Sequence, residues 1–170
     1  MSPRELIEAF QKNRDYKHFA QTAVDLEMIP RLLELCLTEG YPYPQYSSWL
    51  LAHIAENHKN NLATYFPQII DVFLAAKDHS VQRNIANVLL KFPVTDYREG
   101  ELLDQLFRFL QDSESKVALK AYCMYLIVPF LKNYPELKGE LKAIIEEGMQ
   151  KESPAYAGAA KKTLRAISKK

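Results

Sequence analysis

The chain has almost none of the features that announce chemistry. Its 170 residues include two cysteines and four histidines, and they assemble no C-x-x-C pair, zinc-ligand spacing or Cys/His nucleophile pair; a Gly-rich phosphate loop is also missing. Cys36 and Cys123 lie in apolar surroundings, which fits free buried thiols in a reducing compartment better than a disulfide or a metal site. A formal net charge of +1 excludes bulk basic or acidic character and leaves only the distribution of charge to be informative. The longest apolar run, AYCMYLIVPFL from Ala121 to Leu131, has eleven residues, well short of the ~20 that a bilayer span needs, and reads as an interior helix. The opening MSPRELIEAF carries charges where a signal peptide needs an apolar run. These absences lead us to expect a cytoplasmic protein with no membrane contact, no cofactor and no enzymatic activity.

Strand signals are nearly missing as well. Strict alternation never persists, whereas apolar residues recur three and four apart almost everywhere, so the chain is expected to be all helix. Apolar residues at 48% and charged residues at 25% are ordinary for a globular chain, and the length suits one domain with a real core. Pro30, Pro44, Pro67, Pro135 and Pro154 each stand at the start of a helical pattern, where a missing amide donor does no harm. The spacing predicts five helix pairs: 3–13 with 15–26, 29–39 with 45–58, 63–77 with 79–92, 97–111 with 114–132, and 136–150 with 154–168. Short polar connections such as KDHS and QDSES make the members of a pair antiparallel.

A pattern recurs at thirty-six residues. FLAAKDHSVQRNIANVLLKF from Phe73 aligns with FLQDSESKVALKAYCMYLIV from Phe109, setting Phe73 on Phe109, Leu74 on Leu110, Val81 on Val117, Val88 on Met124 and Leu90 on Leu126. Leu37 lies thirty-six before Phe73, Trp49 falls opposite Ile85, and after a two-residue slip Ala159 and Leu164 fall opposite Ala121 and Leu126. One amphipathic hairpin cannot cover its own apolar face, but stacked hairpins bury a common core between them. The pattern resembles HEAT repeats, and more broadly the ARM-type fold, over residues 28–168; residues 65–92 and 100–128 match best. The resemblance implies an all-α, right-handed α-α superhelix of four to five antiparallel helix pairs in a single domain, residues 1–170, with residues 1–26 as an N-terminal capping hairpin. Two departures stand out. EGYPYPQ replaces the short acidic turn in the first full unit, and Pro129 interrupts the second helix of the third.

Charge is sorted by helix. The second helices with their entry turns, residues 79–95, 115–135 and 153–170, carry Arg83, Lys91, Lys116, Lys120, Lys132, Lys161, Lys162, Arg165, Lys169 and Lys170: ten cations and no acid. The matching first helices, 62–78, 96–114 and 136–152, hold thirteen acids against six bases. In HEAT-like folds the second helices line the concave surface, so the resemblance implies a basic groove and a non-catalytic binding or scaffold module for an acidic macromolecule, a protein or acidic peptide first and a phosphate backbone as the alternative. Helix caps and dipoles account for part of the sorting, since turn acids such as Asp78 can cap a following helix and cations suit helix ends. The face of the 79–92 helix opposite Val81, Ile85, Val88 and Leu89 presents Arg83, Asn84, Asn87 and Lys91. With Lys116, Lys120, Lys161, Lys162 and Arg165 these residues form the candidate partner-binding set.

Three further features have bland and functional readings. His53 and Glu56, three apart on one helix beside Trp49, could ligate a metal, but such sites draw carboxylates from several helices and the second helices from the third pair onward contain none. HEAT-type deoxyhypusine hydroxylases show His-Glu dipeptides, and this chain has none; HEAT-like DNA glycosylases line a basic face with aromatics and an acid, for which only Trp49 and Glu56 are at hand. The mobile Ser-Ser-x-Met-Pro loop of fumarase-type lyases is not matched by SSWLLA at Ser47. YPYPQY, with Tyr41, Tyr43 and Tyr46 beside prolines, is expected to pack over adjacent helix ends, the alternative being an exposed aromatic anchor.

Overall fold

A computed structural model describes residues 1–169. Eleven α-helices run in chain order among them: α1 Pro3–Lys12, α2 Tyr16–Asp25, α3 Ile29–Leu35, α4 Tyr43–Asn57, α5 Lys59–Ala63, α6 Phe66–Ala75, α7 His79–Leu89, α8 Glu99–Gln111, α9 Val117–Ile127, α10 Leu137–Lys151 and α11 Pro154–Ser168. They group into two compact units, Met1–Pro93 and the chain from Val94 onward.

Local chemistry explains where the helices begin. Ser2 and Glu5 form a reciprocal capping box at α1, with Pro3 in the first turn. Asp15 caps α2 through the His18 amide, and Asp78 caps α7 through the amides of Ser80 and Val81 at 2.8 and 3.2 Å. Pro30, Pro44, Pro67 and Pro154 occupy first turns, as their missing donors allow, while Pro135 lies just outside α10. The predicted helix over 63–77 is realised as the shorter α6, and a separate short helix, α5, fills the connection before it. The one over 114–132 starts only at Val117, because Asp112 takes the Glu114 amide into a turn. It ends at Ile127, where Pro129 cannot donate to the preceding turn and the chain tightens into a 3-10 turn, Val128–Lys132.

Within the first unit, α4 packs on α2 and α7, so the second members of three pairs stack side by side, while α3 meets α6 among the first members. In the second unit α9 packs on α11 and α8 on α10 in the same manner. The thirty-six-residue correspondence is realised as burial: Phe73 and Phe109, Val88 and Met124, and Ile85 are all in the core. Leu37 departs from it and stands 48% exposed, since α3 has already ended at Leu35. Cys36 and Cys123 are free and buried, and burial pushes both thiols far above their ordinary range. Among the described residues no helix is long and apolar enough to cross a membrane.

Candidate functional site

In the first unit, α7 turns Val81, Ile85, Val88 and Leu89 inward and leaves Arg83 exposed; Lys91 is exposed just past its end and Asn87 is half-buried. Asn84 corrects the sequence expectation. It is three residues after Val81 and four before Val88, so it belongs to the buried stripe; it is 8% exposed, and its Nδ2 donates to Ser48 Oγ of α4 at 3.0 Å.

In the second unit Lys116, Lys161, Lys162 and Arg165 are exposed, and Lys162 Nζ stands 4.7 Å over the Tyr125 ring. Lys120 is the second correction. Three residues after Val117 and four before Met124, it is buried, and its Nζ pairs with Glu152 at 2.6 Å, so it leaves the set that could touch a partner. Lys170 lies outside the described residues.

Pairing differs among the cations. On the first helices Arg31, Arg98, Lys142 and Lys151 each meet a glutamate one turn away. Among the described residues, Arg83, Lys91, Lys116, Lys161, Lys162 and Arg165 have no carboxylate within 4.0 Å. The helix dipole accounts for Arg165, in the last turn of α11, but not for Lys116, which sits at the N-cap of α9, the end that disfavours a cation.

The first unit also holds a cavity of about 350 Å³ that brings Arg14 from the α1–α2 turn and Tyr41, Tyr46 and Trp49 together with Ser80 and Arg83 of α7. Arg14 donates to Tyr46 Oη at 2.9 Å and lies 5.9 and 5.8 Å from the Tyr46 and Trp49 ring centres. Gln45 also lines this space; its Nε2 donates to Asp78 at 2.8 Å, while its Oε1 is buried without a donor. Nothing in the sequence pattern points to Arg14, because the cavity joins residues from three helix pairs.

Trp49 belongs to an aromatic cluster, with Phe10, Tyr46 and His53 ring centres at 5.4, 5.5 and 5.6 Å. His53 stacks on Tyr16 at 4.2 Å, neither of its nitrogens has a hydrogen-bond partner, and Glu56 Oε2 is 3.7 Å from Nδ1. Burial lowers the imidazole pKa, against the opposing pull of Glu56. Among the described residues no group of three or more His, Cys, Asp or Glu could hold a metal ion. The tyrosine loop packs: Tyr46 is buried, and Tyr43 donates to Glu8 Oε1 beneath the Arg4 guanidinium, 4.3 Å from its ring centre. Tyr41 remains 66% exposed.

A family model described as a HEAT repeat domain matches residues 5–167. No match is found among curated proteins or among solved structures.

Proposed function

For a chain that belongs to the HEAT repeat family, we propose a non-catalytic binding role in which cations of the second helices hold an acidic macromolecular partner. The observation that supports this reading is the contrast in pairing. Four first-helix cations, Arg31, Arg98, Lys142 and Lys151, meet neighbouring glutamates, whereas Arg83, Lys91, Lys116, Lys161, Lys162 and Arg165 are exposed and unpaired among the described residues. Unpaired cations on helices without acids attract anions at long range and give up little when a carboxylate arrives. An acidic protein segment is favoured over nucleic acid, because the one tryptophan is already packed by three aromatic rings and a guanidinium, and a base would have to displace them to stack.

Fluorescence anisotropy of a labelled oligoglutamate peptide and of a single-stranded oligonucleotide of equal length tests the role. At low ionic strength the peptide should bind, and the K161E/K162E/R165E variant should lose that binding. Undetectable binding at low salt, or an unchanged triple variant, sinks the proposal. A steep salt dependence with preference for the oligonucleotide would move it to the nucleic-acid alternative.

A further inference from the structure

The cavity beside Trp49 carries chemistry that a general attraction to acids does not require. Two guanidiniums, Arg14 and Arg83, enter one space of about 350 Å³ together with the Ser80 hydroxyl, and no carboxylate lines it. The nearest helix-capping acid, Asp78, already accepts from the Ser80 and Val81 amides and from Gln45 Nε2. Arg83 is exposed and has no ion-pair partner among the described residues; Arg14 donates one N–H to Tyr46 and keeps the rest of its fork. A carboxylate has two oxygens and is satisfied by one fork. A phosphoryl group has three oxygens and nearly two charges, which two guanidiniums and a hydroxyl match.

We propose that this cavity is a binding site for a phosphate monoester, gripped by Arg14 and Arg83 with Ser80 as a further donor and Tyr41 at its exposed edge. The site deepens the proposed binding role and rests on it, by giving the acidic partner one preferred anchoring group. The packed aromatic cluster makes the wall rigid: Arg14 is held against Tyr46 and Trp49, so its fork is oriented before any ligand arrives.

Trp49 is the only tryptophan in the chain and lines the cavity, so its emission reports occupancy directly. The full chain is titrated with a phosphoserine peptide, its unphosphorylated counterpart, O-phospho-L-serine and inorganic phosphate. A saturable change in Trp49 emission with the phosphorylated peptide and none with its counterpart is expected. Arg83→Gln should weaken binding by about tenfold or more, with Arg83→Lys in between, because lysine keeps the charge and loses the fork. Arg83 is exposed and unpaired, so a thermal melt should show R83Q folded as the wild type. Much tighter binding of the phosphopeptide than of O-phospho-L-serine assigns the ester to a protein partner, and equal binding assigns it to a small molecule. Equal responses to the two peptides, or an R83Q variant that binds like the wild type, overturn the site. If oligoglutamate binding still depends on Lys161, Lys162 and Arg165 in that case, the pocket fails while the wider binding role stands.

Discussion

Asn84 Nδ2 donates to Ser48 Oγ at 3.0 Å across thirty-six positions, one full repeat, and Ser48 in turn donates to the Gln45 carbonyl at 3.1 Å. Both side chains are buried between α4 and α7, so the bond ties successive second helices in one register. Gln45 and Asp78 make a second link of the same kind near the start of the two helices. In a denaturant titration, the double-mutant cycle S48A and N84A should return a coupling of about 1 kcal/mol. A coupling of zero would mean that apolar packing alone sets the register.

The ion pair of Lys120 and Glu152 should be asymmetric. Lys120 has 5% of its side chain exposed and Glu152 28%, so the carboxylate can recover water when its partner goes and the ammonium cannot. Removing the acid leaves a buried, uncompensated charge. Glu152→Gln is expected to cost about 3 kcal/mol, and Lys120→Met less than about 1 kcal/mol. Urea unfolding of the two variants side by side decides it; equal losses would contradict the burial argument.

Stability should fall with acidity through His53. The ring is enclosed by Phe10 of α1, Tyr16 of α2 and Trp49 of its own helix, with Glu56 the facing charge and Arg14 beyond Trp49. Its pKa in the folded chain lies below the usual imidazole value of 6.5, so the unfolded chain takes up a proton first. The stabilisation is present above pH 6.5 and is lost as the pH falls from there through the lowered folded value. Thermal melts between pH 7.5 and 5 should therefore slope less for His53→Phe than for the wild type. Parallel slopes would assign the acid sensitivity to other groups.

Two glycines of the second unit should respond in opposite directions. A Cβ on Gly148 of α10 would overlap Tyr156 Oη and Cζ, and Tyr156 is buried. A Cβ on Gly158 of α11 meets nothing within 4 Å. Gly148→Ala is expected to lose about 1–3 kcal/mol through overpacking, and Gly158→Ala to gain about 0.5–1 kcal/mol from helix propensity. Melting temperatures of the pair check both signs at once.

The helix pairs, their starts at capping residues and prolines, and the thirty-six-residue recurrence were legible in the amino-acid order because each depends on neighbours within one or two turns. Even the burial of Asn84 and Lys120 is written there, since three residues after Val81 and Val117 a side chain returns to the same helix face. The tighter ends of α3 and α9 were less visible, since the end of a helix depends on whether the following turn finds other hydrogen-bond partners.

Sequence alone determined the all-helical repeat and the sorting of charge by helix, since 3.6-residue periodicity and side-chain sign are local properties of the chain. Only the tertiary structure decided that Lys120 meets Glu152, and that Arg14 and Arg83 share a cavity beside Trp49. Those outcomes depend on contacts between residues more than thirty positions apart, where packing geometry rather than spacing along the chain chooses the neighbour.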